Sequence, residues 1–267
     1  MSFSISGKTV IVTGAANGVG LAIGRRFIEA DANVMFADMD EARLTKELGD
    51  RAREEGNIRL FTGDLRERLT IANLLSATID AFERVDILVN ASRQILPSDP
   101  LDSEKDGIEQ MLSQNLMTSL RLTQGVAKRM IKQAGEDEDG SAGSIINLSS
   151  IAARRTQPEL LAYSVSCAAL DQMTRSMAVA LAPKRIRVNA VAFGSVMSAS
   201  LKGSLKENEE YREDIVDHTP LHRIAGPEEI SDAVQYLASD ASAFVTGQIL
   251  TVDGGRTLID PVSSPAH

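Results

Sequence analysis

Only one cysteine, Cys167, occurs among the 267 residues, so no disulfide can close within the chain. That absence fits a reducing compartment, and a cytoplasmic location is expected. Histidine is scarce as well. His218 and His222 stand four apart among three histidines in all, but they flank a Thr-Pro step with only Asp217 beside them, and no metal site is expected. Clusters of basic residues are missing: 28 Lys and Arg face 37 Asp and Glu, for a formal net charge of -9. Nucleic acid and anionic membrane both select basic surfaces, so neither is an expected partner. No stretch is long and apolar enough to span a bilayer. The opening "MSFSISGKTVIVTG" runs into a glycine loop before it acquires the layout of a secretory leader. These exclusions favour a small-molecule role.

What the chain does have is apolar residues at 43% and charged residues at 24%, enough for a large core in one domain spanning 1–267. Short β-branched runs alternate with longer helical patterns, the mark of repeated βαβ units around a parallel sheet. Strands are predicted at 8–14, 33–38, 58–64, 86–91, 144–149, 187–192 and 248–253. Helical windows fall near 18–30, 41–55, 67–83, 103–133, 160–182 and 227–238, the last opening on Pro227. No internal repeat or Pro-rich linker divides the chain. The acidic stretch 135–143 reads as a solvated connection, and 256–267 as a tail. Between 194 and 226 the alternation breaks. An excursion after a strand can cover the crevice at the carboxyl ends of an open sheet, so this segment is expected to be a substrate lid, or else a plain surface excursion.

"TGAANGVG" (13–20) follows the first strand and opens the first helix. Gly14 and Gly18 leave room for a tight turn and a close phosphate, Gly20 lets helix and strand approach, and the N–H groups of Gly18, Val19 and Gly20 open a helix able to receive a pyrophosphate. A carboxylate, Asp38, ends the second strand. There it can accept from both adenosine ribose hydroxyls and repel a 2′-phosphate; Asn17 and Met39 supply no compensating cation, which points to NAD over NADP. Asp38 could instead cap the next helix, a task open to Asp40 as well. Asp64 ends the third strand, where it could meet the adenine edge or cap a turn with Leu65.

These features, with Asn90 ending the fourth strand, Asn115 in "SQNLMTSLRLTQ", Ser150 in "GSIINLSS", Tyr163 thirteen residues later, "RIRVNAVAFG" and "PEEISDAVQYLASDASAFVTGQILTVDGG", resemble the short-chain dehydrogenase/reductase family over about residues 6–255. The resemblance is to its compact type, such as bacterial ketoacyl reductases. It implies an α/β fold, a single doubly wound Rossmann domain with a seven-stranded parallel sheet flanked by helices, a nicotinamide cofactor, and a homotetramer or dimer. It also implies that Ser150 binds the substrate oxygen, that Tyr163 passes the proton, and that Asn115 holds a water in the relay. In the cofactor site it places Asn90 and Ala91 beside the nucleotide, Gly194 and Val196 at the nicotinamide, and Ser198 near phosphate.

Three departures stand at that site. The lysine that such proteins carry four residues after the tyrosine, where it binds ribose and lowers the phenol pKa, is Cys167 here. "NNAG" reads "NASR", putting Ala91, Ser92 and Arg93 beside the cofactor, and "PG" reads Phe193-Gly194. An ordinary phenol is ionised in roughly one molecule per thousand at neutral pH. Removing a cation that shifts it by about two units would cost ~2.7 kcal/mol, on the order of a hundredfold in rate. Arg93, Arg154 and Arg155 are either solvated surface arginines or substitute cations, with at least one expected near substrate or cofactor. The function expected is hydride transfer between NAD(H) and a secondary alcohol or ketone, with Ser150, Tyr163, Asn115 and Cys167 at the reacting centre. The alternative is a silenced dinucleotide-binding protein that serves as a sensor or oligomer partner.

Overall fold

In the computed structural model, which describes residues 2–135, 140–208 and 210–260, the apolar runs of the sequence become seven strands. They are β1 (Thr9–Thr13), β2 (Asn33–Asp38), β3 (Ile58–Thr62), β4 (Ile87–Asn90), β5 (Gly143–Ser150), β6 (Ile186–Phe193) and β7 (Ile249–Val252). All pair in parallel, in the order β3-β2-β1-β4-β5-β6-β7. The order reverses direction between β1 and β4, and a doubly wound sheet opens a crevice at the carboxyl ends there.

Every residue of β1, β4, β5 and β6 is buried, as expected where helices cover both faces of a parallel sheet. Alternate residues serve opposite faces. Val10 and Val12 join a core with Phe27, Phe36, Leu44, Ile230 and Val234, lying under helices α1 (Gly18–Glu29), α2 (Glu41–Glu54) and the helix Pro227–Ala238. Ile11, between them, joins Leu74, Leu122, Val126, Met130 and Ala178 on the other face. That face is covered by α3 (Arg68–Phe82), α5 (Thr118–Ala134) and α6 (Leu161–Leu181), with a short α4 (Ile108–Met111) leading into α5.

Two regions differ from the sequence expectation. The helix expected over 103–133 begins at Ile108, and Leu112–Met117 form a π-helical turn before α5. The wide turn frees backbone carbonyls that neighbouring hydroxyls take up: Thr118 Oγ1 donates to the Ser113 carbonyl at 3.2 Å and Ser119 Oγ to that of Asn115 at 3.0 Å. Periodicity alone cannot register one inserted residue. The segment 194–226 carries two helices, α7 (Ala199–Glu207) and α8 (Glu210–Asp217), followed by α9 (Pro227–Ala238). No described residue of α8 is fully buried, which explains why no apolar stripe announced it. Residues 136–139 of the acidic stretch and 261–267 of the tail lie outside the described residues. No described helix is long and apolar enough to cross a membrane.

The excursion is tied back to α9 by Arg223, whose two terminal nitrogens each reach a Glu229 oxygen at 2.6 Å. Glu229 also accepts from the Gly226 N–H at 2.9 Å. These bonds lower its carboxyl pKa to about 2, the Arg223 hydrogen bonds contributing most. A depressed carboxyl stabilises the fold fully above its unfolded pKa and loses that contribution as pH falls toward its folded value. Glu229→Gln is therefore expected to lower stability at neutral pH by about 1 kcal/mol or less, since solvent screens a half-exposed pair. In urea melts the difference from the parent should shrink between the ordinary glutamate range and pH of about 2.

Candidate active site and cofactor cleft

The loop after β1 places its glycines for separable reasons. At Gly14, with φ of +63°, a Cβ would sit 2.7 Å from the Ala91 carbonyl oxygen, so β1 and the end of β4 can meet only over a glycine. At Gly20 a Cβ would strike the Gly14 carbonyl, so α1 folds tightly onto its own loop. Gly18 is different. Its φ is +55°, yet the nearest protein atom to a Cβ there would be Ser198 Cβ at 3.8 Å, leaving space on the side where α1 begins. Asn17 precedes α1 without a side-chain cap to it, so the first-turn N–H groups of Gly18, Val19 and Gly20 remain available to a phosphate.

Asp38 supports the loop from β2. One carboxylate oxygen accepts from the Ala16 N–H at 2.9 Å and the other from the Asp40 N–H at 3.1 Å. Capping α2 falls to Asp40, which accepts from the Arg43 N–H at 3.0 Å. Asp38 thus keeps lone pairs for further donors, and Met39 beside it is exposed. Asp64 is already engaged: Arg66 binds it through both side chain and backbone, holding the carboxyl below its ordinary pKa. Leu65 next to it is buried. Together, an uncapped helix start, an open glycine and a carboxylate at the neighbouring strand end suit a dinucleotide.

At the far side of the crevice, Ser150 ends β5 opposite Phe193 at the end of β6. The Ser150 hydroxyl accepts from the Ala152 N–H at 3.2 Å. Tyr163, in the first turn of α6, is only 3% exposed, and Ala152, Tyr163 and Cys167 pack into one small cluster. Burial pushes the Tyr163 phenol above its ordinary pKa; the charge of Arg93 pulls it down, Cys167 pushes it up, and the nearby Ser150 hydroxyl pulls it down. The phenol therefore holds its proton at neutral pH. The Cys167 thiol is buried too, and burial raises it above its ordinary value against the pull of Arg93.

Of the three arginines, one reaches the site. Arg93 Nη1 donates to Tyr163 Oη at 2.8 Å and to the Ser149 carbonyl at 3.4 Å. Its guanidinium carbon stands 4.2 Å from the centre of the Phe193 ring. Arg154 turns to Thr251 Oγ1 at 3.0 Å, and Arg155 to the Thr257 carbonyl; both are exposed.

Asn115 stands in the π-helical turn and spans the two halves of the site. Its Oδ1 accepts from the Gln94 N–H at 2.8 Å, while Nδ2 donates to the Gln94 carbonyl and to Ser166 Oγ, both at 3.0 Å. Asn90 points into the sheet, donating to Asn147 Oδ1 at 2.8 Å and Thr123 Oγ1 at 3.2 Å. The Ala91 and Ser92 N–H groups both donate to Thr13 Oγ1 at 3.1 Å. On β6's continuation, Gly194 bonds back to the Val252 carbonyl, Val196 bridges to Ala225, and Ser198 Oγ accepts from the Leu201 N–H at 3.3 Å. Three contributors were not singled out from sequence. Thr13 and Ser166 are ordinary hydroxyl residues until the fold supplies their partners, and Asp171 is a buried carboxyl one turn beyond Cys167, raised above its ordinary pKa by burial.

The family model described as Enoyl-(Acyl carrier protein) reductase matches residues 14–257. The chain belongs to the short-chain dehydrogenase/reductase family. It is 31% identical over 251 residues to the 7alpha-hydroxysteroid dehydrogenase of Escherichia coli, covering 94% of this chain and 94% of that protein. To the glucose 1-dehydrogenase of Gluconobacter oxydans it is 32% identical over 255 residues, covering 95% and 93%. A solved 7 alpha-hydroxysteroid dehydrogenase complexed with NADH and 7-oxo glycochenodeoxycholic acid superposes with a TM-score of 0.86 at 30% identity, covering 95% of each chain. As a member of this family, the protein is an oxidoreductase acting on CH–OH groups.

Because Cys167 is buried and its thiol raised, the folded protein should resist a thiol-modifying reagent near neutral pH. Modification is expected to run at least about tenfold slower than in denaturant, followed as loss of free thiol over time.

Proposed function

We propose that this short-chain dehydrogenase/reductase moves a hydride between NAD(H) and a secondary alcohol or its ketone, with Ser150 and Tyr163 handling the oxygen and its proton. The observation that carries the reading is the meeting of the Tyr163 phenol, the Ser150 hydroxyl and a cation at the carboxyl end of the sheet. The preference for NAD rests on Asp38, whose free lone pairs suit ribose hydroxyls and whose charge opposes a 2′-phosphate. The solved relative with NADH and a ketone beside it supports the same pairing of ligands.

When bound, the nicotinamide supplies or accepts the hydride. The chain's own residues do the rest. The α1 N-terminus and Asp38 hold the nucleotide, and the Ser150 hydroxyl orients the substrate oxygen. The phenol of Tyr163, protonated at neutral pH, donates its proton as a carbonyl becomes an alcohol and recovers one in the reverse direction. Asn115 supports this by fixing the loop at Gln94 and, through Ser166, the start of α6. The segment 194–226 forms the substrate lid. A small-molecule substrate, a cytoplasmic setting and a homo-oligomer complete the proposal.

A second reading, dinucleotide binding without turnover, draws on Cys167 and on how little of the Tyr163 phenol is exposed. NADH fluorescence titration with NADH oxidation over a panel of ketones separates the two. The parent chain is expected to bind NADH and turn over, while Tyr163→Phe keeps NADH affinity within about twofold and loses about a hundredfold or more in kcat/KM. Binding with no turnover on any ketone would favour the second reading, and no binding would end both. Asp38→Ala should weaken NADH about tenfold or more and leave NADPH far less affected, read as a ratio of dissociation constants.

A further inference from the structure

We propose that Arg93 supplies the positive charge for Tyr163 in this protein, delivered across the crevice from the end of β4 in place of a cation on α6. The inference rests on the reading of Tyr163 as the proton-transfer group and assigns the charge that this group works against. Arg93 contacts a reacting atom, since Nη1 lies 2.8 Å from Tyr163 Oη. The other described side chains around that oxygen are neutral: Ser150 offers a hydroxyl, and Cys167 a buried thiol whose ionised form would oppose the phenolate.

The placement is built and not incidental. The guanidinium lies over the Phe193 ring at 4.2 Å, a contact in which the ring's π-face favours the cation. Its second anchor is the Ser149 carbonyl. The loop that carries it is pinned on both sides: Ala91 and Ser92 bond to Thr13, and Gln94 is clamped by both ends of the Asn115 amide. Gln114 Nε2 adds a bond to Ser92 Oγ at 3.1 Å. Hence the three departures Cys167, Arg93 and Phe193 read as one exchange. The charge moves from the helix to the strand end, and an aromatic plate appears beneath its new position.

The chemistry of the new cation differs from that of a lysine. Guanidinium stays charged through the whole usable pH range, whereas a lysine in a buried site can lose its proton. The phenol therefore titrates against a constant charge. Nε and Nη2 of Arg93 make no hydrogen bond among the described residues, which leaves donors for the oxygen of a substrate or a ribose.

The test reads the phenol directly. The chain has three tyrosines, so the ultraviolet tyrosinate titration of each variant, minus that of the same variant with Tyr163→Phe, isolates Tyr163. Arg93→Gln is expected to raise its apparent pKa by about one unit or more, with Arg93→Lys intermediate. Circular dichroism confirms the fold of each variant. Adding Cys167→Lys should restore the titration in the Arg93→Gln background, since a cation delivered from α6 would then face the phenol. An unshifted titration in folded Arg93→Gln would overturn the assignment. No turnover is needed for this readout. A chain that fails to reduce any ketone yet shows the shift would sink the functional reading and leave Arg93 as the source of charge.

Discussion

The eight-residue parallel ladder between β5 and β6 is the constraint on which the site depends. Its register sets Ser150 opposite Phe193 at the last rung, so the hydroxyl and the aromatic plate arrive at the same depth in the crevice. β4 joins from the other side through Asn90 and Asn147. That pairing is reinforced by a buried chain in which Asn90 donates to Asn147 and Asn147 donates to Thr174 on α6, tying the helix that bears Tyr163 to the strands that face it. A one-residue slip in a parallel pair would turn every side chain to the opposite face. The residues that meet at Tyr163 come from three separate strand ends and one helix, and only a rigid sheet brings them within hydrogen-bonding distance.

Opposing electrostatic effects are balanced around the phenol. Removing Tyr163 from water disfavours its ionised form, and that effect outweighs the attraction of Arg93. The same burial strengthens the guanidinium contact, because charges interact more strongly away from bulk solvent. Phe193 helps reconcile the two by giving the cation an apolar surface that does not compete for its protons.

The strands and most helices were legible in the sequence because burial on both faces writes long β-branched runs and amphipathic helices write an apolar stripe. β2 and α9 have the bounds their patterns predict. The glycine loop could be read because close backbone approach admits few residue types. What stayed hidden depended on contacts between distant segments. Nothing in "NASR" says that the arginine turns inward while Arg154 and Arg155 turn out; that follows from Phe193, a hundred positions on in the chain. Asn115 was placed in the site by its motif, but its bonds to Gln94 and Ser166 follow from the π-helical turn, whose extra residue leaves no mark in composition.

That turn joins two tasks in a single helical rod. Within it Asn115 and Gln114 address the Arg93 loop; behind it, Leu122, Val126 and Met130 sink into the core. Deleting one residue from 112–117 would rotate the two halves against each other by about 100°. The helix could then seat its apolar stripe or present its amide, but not both, and a length change too small to disturb the sheet would separate folding from chemistry.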